Sequence, residues 1–251
     1  MTPEVAGLVL LLGQVQDELA GLLADRPDAD WLRDTPAPRW TVRDQVAHLA
    51  DTEEVALATL TGGDRAFARA LSGHADADAF TEAGCERGRA MTPGQVLRWW
   101  RTAAAATRAA FTTAPEDLRV PWGLGMSVAD FARARLMEHW AHGLDIRAAL
   151  GAGPAHDAAL PQVARLALAS VPYAVARAGL RRPPGRTLRL ALTSGAGQHE
   201  FGPADATDTV TGPLDAWCRI AVRRPRAGDT AALTATGPLA ELAVRHARAY
   251  L

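Results

Sequence analysis

Met137-Glu138-His139-Trp140-Ala141-His142-Gly143-Leu144-Asp145, running on through Ile146 to Leu150 and stopped by Gly151, is the stretch around which the chain is organised. Glu138 and His142 stand four residues apart, so on a helix they project from one face about a turn from each other, close enough to chelate one cation. Such a pair is half a site, because a catalytic divalent metal usually takes three protein ligands and keeps one position open. The third candidate is His48. Arg135, one turn before Glu138, and Asp145, one turn after His142, extend the same stripe. On residues alone, a stripe of this kind is more often a solvent face laced by ion pairs.

Working outward, the stretch closes a helix that opens at Ser127-Val128-Ala129-Asp130 and ends at Gly151. Upstream, Val5, Leu8, Val9, Leu12, Val15, Leu19, Leu22 and Leu23 recur at helical spacing and predict a first helix that stops before Arg26-Pro27. After a loop with Pro36 and Pro38, Trp40 precedes a start signal in which Thr41 caps and Asp44 sits in the first turn. The second helix carries an apolar line of Val42, Val46, Leu49, Ala56 and Leu60, with His48 flanking it. Residues 61–90, with five glycines, read as a loop-rich cover holding at most a short helix near residues 64–71. Thr92-Pro93-Gly94-Gln95 opens a third helix that runs to about Phe111. Four helices on loops of moderate length predict an antiparallel four-helix bundle, an architecture whose interior commonly holds metals.

After Gly151-Ala152-Gly153-Pro154 the pattern changes, placing a boundary between a domain of residues 1–153 and one of residues 154–251. In the second part, a helix over residues 158–178, interrupted near Pro172, leads to an alternating strand at residues 186–192. Further strands are expected at residues 198–201, 208–211 and 231–236, with helices after Gly212-Pro213 and over residues 238–250. This half is α+β.

Composition closes off whole classes of chemistry. No Lys occurs among the 27 basic residues, consistent with a GC-rich coding sequence. That excludes a Schiff-base lysine, a phosphate-loop lysine and a lysine general base. A net charge of −1 with mixed signs gives no electrostatic footprint for nucleic acid. Cys85 and Cys218 lie far apart with no Cys-x-x-Cys, which argues against a disulfide framework or a zinc knuckle. Residues 1–12 lack a basic start and carry Glu4, and no apolar run approaches membrane-spanning length, so the reading is no signal peptide, no membrane partner and a cytoplasmic protein. His74, His156, His199 and His246 read as surface residues, and Trp99, Trp100, Trp122 and Trp140 as core and pocket wall.

Three segments together resemble a known family: Trp40 through His48-Leu49, Val120-Pro121-Trp122, and Ala134-Arg135-Leu136-Met137-Glu138-His139-Trp140-Ala141-His142-Gly143-Leu144-Asp145. In order and spacing they are similar to the mycothiol-dependent maleylpyruvate isomerase family, within the DinB-like metal-binding superfamily. The resemblance implies a DinB-like bundle followed by a smaller sterol-carrier-like α+β domain. It implies a divalent ion, most often zinc, on His48, Glu138 and His142, with mycothiol as thiol cosubstrate. His139, adjacent to Glu138, points about a quarter-turn away and is a poor fourth ligand. Arg135 is expected to grip a substrate carboxylate and Asp145 to orient a ligand imidazole.

The chemistry expected of such a site is general. Two neutral imidazoles and one carboxylate leave a zinc ion net positive, acidifying a bound water or thiol. A thiolate that adds to an activated double bond, permits rotation and leaves is an isomerase cosubstrate; one that stays is a transferred group. The substrate is expected to be a small electrophilic metabolite and the protein a monomer or homodimer. Two alternatives stay open: a non-thiol metal-dependent lyase, hydrolase or cyclase, and a metal- or ligand-binding protein without catalysis.

Overall fold

The computed structural model describes residues 1–123, 125–154 and 157–249. It divides into two compact units, Met1–His156 and Asp157–Leu251.

The first unit is helical. Its elements are α1 Pro3–Leu23, α2 Asp28–Trp31, α3 Val42–Thr61, α4 Phe67–Ser72, α5 Ala77–Arg89, α6 Pro93–Thr113 and α7 Val128–Leu150. The boundaries follow local chemistry: Thr41 and Asp44 form a reciprocal capping box on α3, Thr92 and Gln95 do the same on α6, and the Ser127 hydroxyl accepts from the Asp130 amide on α7. Gly151 ends α7 in the left-handed region at φ 62°, where a side chain would be strained. The long helices pack in a closed sequence of neighbours, α1 on α6, α6 on α3, α3 on α7 and α7 on α1. Leu19, Leu23, Trp31, Val46, Leu49, Val96, Trp100 and Ile146 build one buried apolar cluster among them.

Two expectations about this unit change. Residues 61–90 hold a second, thirteen-residue helix, α5, with Asp76 as its cap. Its glycines are contact points on α3: a Cβ on Gly88 would stand 2.2 Å from the Ala47 Cβ, and one on Gly84 would stand 3.0 Å from the Asp51 Cβ. They look like breakers in sequence because close helix approach and loop flexibility both select residues without a side chain. In addition, α1 is long and apolar enough to cross a membrane by length and composition alone. In this structure its Val5, Leu8, Leu12, Val15, Leu19 and Leu23 are buried, and the helix packs on α6 and α7.

The second unit opens with a short 3-10 turn, Asp157–Ala159, and continues as α8 Leu160–Arg177, β1 Leu188–Ser194, β2 Gly197–Phe201, β3 Asp208–Pro213, α9 Leu214–Ala221, β4 Thr234–Thr236 and α10 Pro238–His246. Pro172 sits inside α8 without breaking it, and Val171, Ala174 and Val175 around it are buried. The last helix stops at His246, short of the expected residue 250, and Tyr250 lies outside the described residues. The sheet order is β2-β1-β3-β4, antiparallel except for the central β1 and β3 pair, with Leu190 opposite Val210. Alternate residues Leu188, Leu190 and Leu192 are buried on one face, where α9 with Trp217 packs on β1 and β3.

Asp208 fixes the end of this sheet to α10. Fully buried, it accepts the Leu239 amide at 2.6 Å, the Ala240 amide at 3.4 Å, the Arg186 guanidinium at 3.1 Å and the Thr207 hydroxyl at 2.8 Å. Burial by itself raises the carboxyl pKa, but these hydrogen bonds and the Arg186 charge outweigh it and leave the pKa below the ordinary value.

Two outcomes are expected. Gly88→Ala should destabilise the first unit by about 1–3 kcal/mol through overpacking on Ala47, read as a lower urea midpoint at unchanged m-value. Asp208 should stabilise at every pH above the unfolded carboxylate pKa of about 3.9 and lose that contribution as pH falls through its lower folded value. Acid unfolding of Asp208→Asn should accordingly be flatter than that of the wild type below pH of about 4, from a baseline lower by about 1.5–3 kcal/mol.

Candidate metal centre

His48, Glu138 and His142 converge. One donor atom from each lies within 4.8 Å of the others: Glu138 Oε2 stands 3.6 Å from His48 Nε2 and 3.2 Å from His142 Nε2. The two imidazoles approach with centroids 4.6 Å apart. The arrangement follows from the helices, since α3 delivers His48 two turns beyond its Thr41 cap and α7 carries the other two a turn apart on the face toward α3. The cluster lies near the surface without being open, with 12%, 20% and 11% of the His48, Glu138 and His142 side chains exposed. Trp40 covers it, its ring 5.1 Å from that of His48 and stacked at 5.9 Å on that of His142. Burial by itself would push the Glu138 pKa up, yet the facing His142 and His48 rings, with the charge of Arg135, hold it well below the ordinary carboxylate value. The site therefore carries a carboxylate facing two imidazole nitrogens.

The neighbouring residues divide differently from expectation. Asp145 is linked to His142 through a residue that sequence spacing does not point to: Gln45 Nε2 donates to Asp145 Oδ2 at 3.2 Å, and Gln45 Oε1 lies 2.5 Å from His142 Nδ1. Gln45 is fully buried. In sequence its one signal is its place on α3, three residues before His48.

Arg135 is a correction. Its side chain is 1% exposed, and it donates from Nε to Glu53 Oε1 at 2.8 Å and from Nη2 to the Thr52 hydroxyl at 3.1 Å. A guanidinium committed to a buried carboxylate is not presented for a bidentate grip on a substrate. Glu53 is missing from the sequence reading because an acidic residue on an amphipathic helix is ordinarily on its wet face. Nor does the stripe as a whole face solvent: Arg135, His142 and Asp145 are all buried.

His139 points away from the cluster, as its quarter-turn offset predicts. Its Nδ1 donates to the Arg135 carbonyl at 2.8 Å, and its Nε2 accepts from Trp100 Nε1 at 3.1 Å and Gln16 Nε2 at 3.2 Å. Burial lowers its pKa to about 4, so the ring is neutral near pH 7, as one donating and one accepting nitrogen require. Trp122 packs against Phe67 and Phe131 and lies 5.8 Å from the Arg135 guanidinium. His74 is exposed, His199 pairs with Ser194 and His246 is half-buried, whereas His156 lies outside the described residues. Both cysteines are buried; burial pushes the Cys85 thiol up to about 12 and the Cys218 thiol well above its usual value. Neither offers a thiolate near pH 7.

Comparison with known proteins shows the family and the fold. A family model described as the mycothiol maleylpyruvate isomerase N-terminal domain matches residues 12–147. Uncharacterized proteins from two strains of Mycobacterium tuberculosis are each 33% identical over 237 residues, covering 93% of this chain and 91% of theirs. Crystal structures of the mycothiol-dependent maleylpyruvate isomerase, one of them a single-site mutant, superpose with a TM-score of 0.60 at 18% and 17% identity, covering 94% of this chain and 95% of theirs.

Removing the Arg135 guanidinium while keeping bulk should be a folding defect. Arg135→Met leaves Glu53 buried and uncompensated, and Glu53 Oε2 already has no partner among the described residues. The expected loss is about 3–5 kcal/mol, measured by urea denaturation.

Proposed function

The chain belongs to the mycothiol maleylpyruvate isomerase N-terminal domain family, and from that premise we propose that it is a divalent-metal-dependent enzyme acting on a small electrophilic metabolite with mycothiol as thiol cosubstrate. The observation that carries this reading is the convergence of His48, Glu138 and His142 within 4.8 Å beneath Trp40. The donor set suits a borderline divalent ion such as zinc: two imidazole nitrogens and one carboxylate oxygen, drawn from two rigid helices. The fit is also chemical, because two imidazole nitrogens facing one carboxylate oxygen at 3.2–3.6 Å call for a proton or a cation between them. Bound there, the ion would supply Lewis acidity to a coordinated water or thiol.

The chain's own residues define the rest. His48, Glu138 and His142 hold the ion, and Trp40 walls the approach and limits access of water. With both cysteines buried and protonated, the nucleophilic sulfur comes from the cosubstrate. Its thiolate adds to an electron-poor carbon–carbon double bond, the resulting single bond rotates, and elimination of the same thiolate restores the double bond in the other geometry. Retention of the sulfur gives S-transfer, so isomerase and transferase share this site. In this reading the first unit is a DinB-like antiparallel four-helix bundle, and Asp157–Leu251 is the smaller, sterol-carrier-like domain.

Elemental analysis after mild purification should give near-stoichiometric metal that is lost in His142→Ala; less than about half an equivalent, unchanged in the variant, would sink the metal site. Mycothiol at millimolar concentration should raise the thermal midpoint of the metal-loaded protein, since a ligand of the folded state stabilises it. No shift would remove the thiol from the reading. Maleylpyruvate is the first substrate to assay for conversion to its trans isomer.

A further inference from the structure

Gln45 lies on α3 one turn before His48 and touches the candidate centre from behind. Its amide has two ends, and the surroundings dictate which faces which way. On one side are Asp145 Oδ2, 3.2 Å from Gln45 Nε2, and Thr35 Oγ1, 2.9 Å from the same nitrogen. The Asp145 carboxylate has nothing to donate when ionised. The Thr35 hydroxyl has already given its proton to the Trp40 carbonyl at 2.8 Å. Both groups facing that end are acceptors, so the nitrogen must be there; a flipped amide would set oxygen against oxygen twice in a buried site. The oxygen therefore faces His142 Nδ1 at 2.5 Å, and an amide oxygen can only accept. Nδ1 must carry the ring proton. Nε2, 3.2 Å from Glu138 on the side of His48, is the nitrogen left to face a cation.

We propose that Gln45 is a positioning residue that fixes His142 in the Nδ1–H tautomer, with Asp145 and Thr35 setting its orientation. The chain of bonds runs Asp145, Gln45, His142 on one branch and Trp40, Thr35, Gln45 on the other. The same amide that prepares His142 as a ligand thus anchors the hairpin presenting Trp40. That hairpin is closed by the Asp34 and Thr41 backbone bridge and by the Thr35 amide donating to the Trp40 carbonyl at 2.9 Å, and it turns at Arg39 in the left-handed region at φ 70°. The proposal deepens the metal-centre reading and, for its effect on metal affinity, rests on it. The proton on Nδ1 does not depend on metal.

The test uses the full chain in metal-free and zinc-loaded forms. Long-range nitrogen–proton correlation spectra report the His142 tautomer in the metal-free protein, and competition with a chromophoric chelator reports zinc affinity. Asp145→Asn keeps volume but can donate as well as accept, which removes the stronger of the two groups that fix the amide's orientation, so it carries the test even if Gln45→Leu folds poorly. Wild type should show His142 Nδ1 protonated throughout, Asp145→Asn only in part, and both variants a zinc affinity weaker by about 10–100-fold, the usual effect of losing a group that orients a ligand. Thermal midpoints distinguish this from unfolding. A tautomer unchanged in Asp145→Asn, with zinc affinity within about twofold of wild type, overturns the proposal. A tautomer that shifts as expected in a protein that takes up no zinc supports the relay and defeats the metal reading.

Discussion

A buried polar chain running through the middle of the first unit touches all four long helices, and the site stands on it. The Arg108 guanidinium of α6 holds the Gln16 carboxamide of α1, Gln16 donates to His139 of α7, and Trp100 of α6 donates to the same ring nitrogen. His139 takes hold of the Arg135 carbonyl a turn back, and the Arg135 side chain reaches Glu53 of α3. Thr107 of α6 closes the circuit by donating to the Glu53 carbonyl. Apolar packing of Leu, Val and Ala tolerates small rotations of one helix against another, whereas these directional bonds are satisfied in one register. Relative to an apolar core of the same volume they give little net stability, because desolvation offsets the Coulombic gain. What they set is angle and height. His48 on α3 and the Glu138 and His142 pair on α7 meet because Glu53 and Arg135, about a turn deeper on the same two helices, are joined.

Reading the chain as residues recovers whatever is encoded locally. Thr41, Thr92, Ser127 and Gly151 announce their helix ends because capping involves a few consecutive residues. The spacing of Glu138 and His142 is legible because helical geometry alone places them together. Gly84 and Gly88 are illegible for the opposite reason: their purpose is the nearness of α3, some forty residues away in sequence, and a glycine carries no mark that separates a hinge from a contact. The apolar length of α1 is ambiguous in the same way, since a core helix and a spanning one share a composition.

The polar residues of the stripe show where helical spacing stops being informative. Arg135, Glu138, His142 and Asp145 share one face of α7, yet they divide into an ion pair that ties helices, two donors of the cluster and an anchor for an amide. What separates them is the partner on α3: Glu53, His48 and Gln45. None of those pairings is written in α7. Resemblance to a family supplies the ligands, while the supporting groups behind them, Gln45 above all, become visible once two helices are laid together.

One consequence follows from the capping box on α3. His48 is the seventh residue after Thr41, and seven residues make close to two full turns. The capped end of the helix and the imidazole thus fall on one side, which is why Trp40, immediately before the cap, lands over the ring. The segment between cap and ligand is constrained in its count more than in its letters. Exchanging Val46 for another apolar residue leaves the phase intact, but one residue gained or lost swings the imidazole by about 100° around the helix axis. Among descendants of this sequence, insertions and deletions should be purged from this seven-residue window far more strictly than point changes.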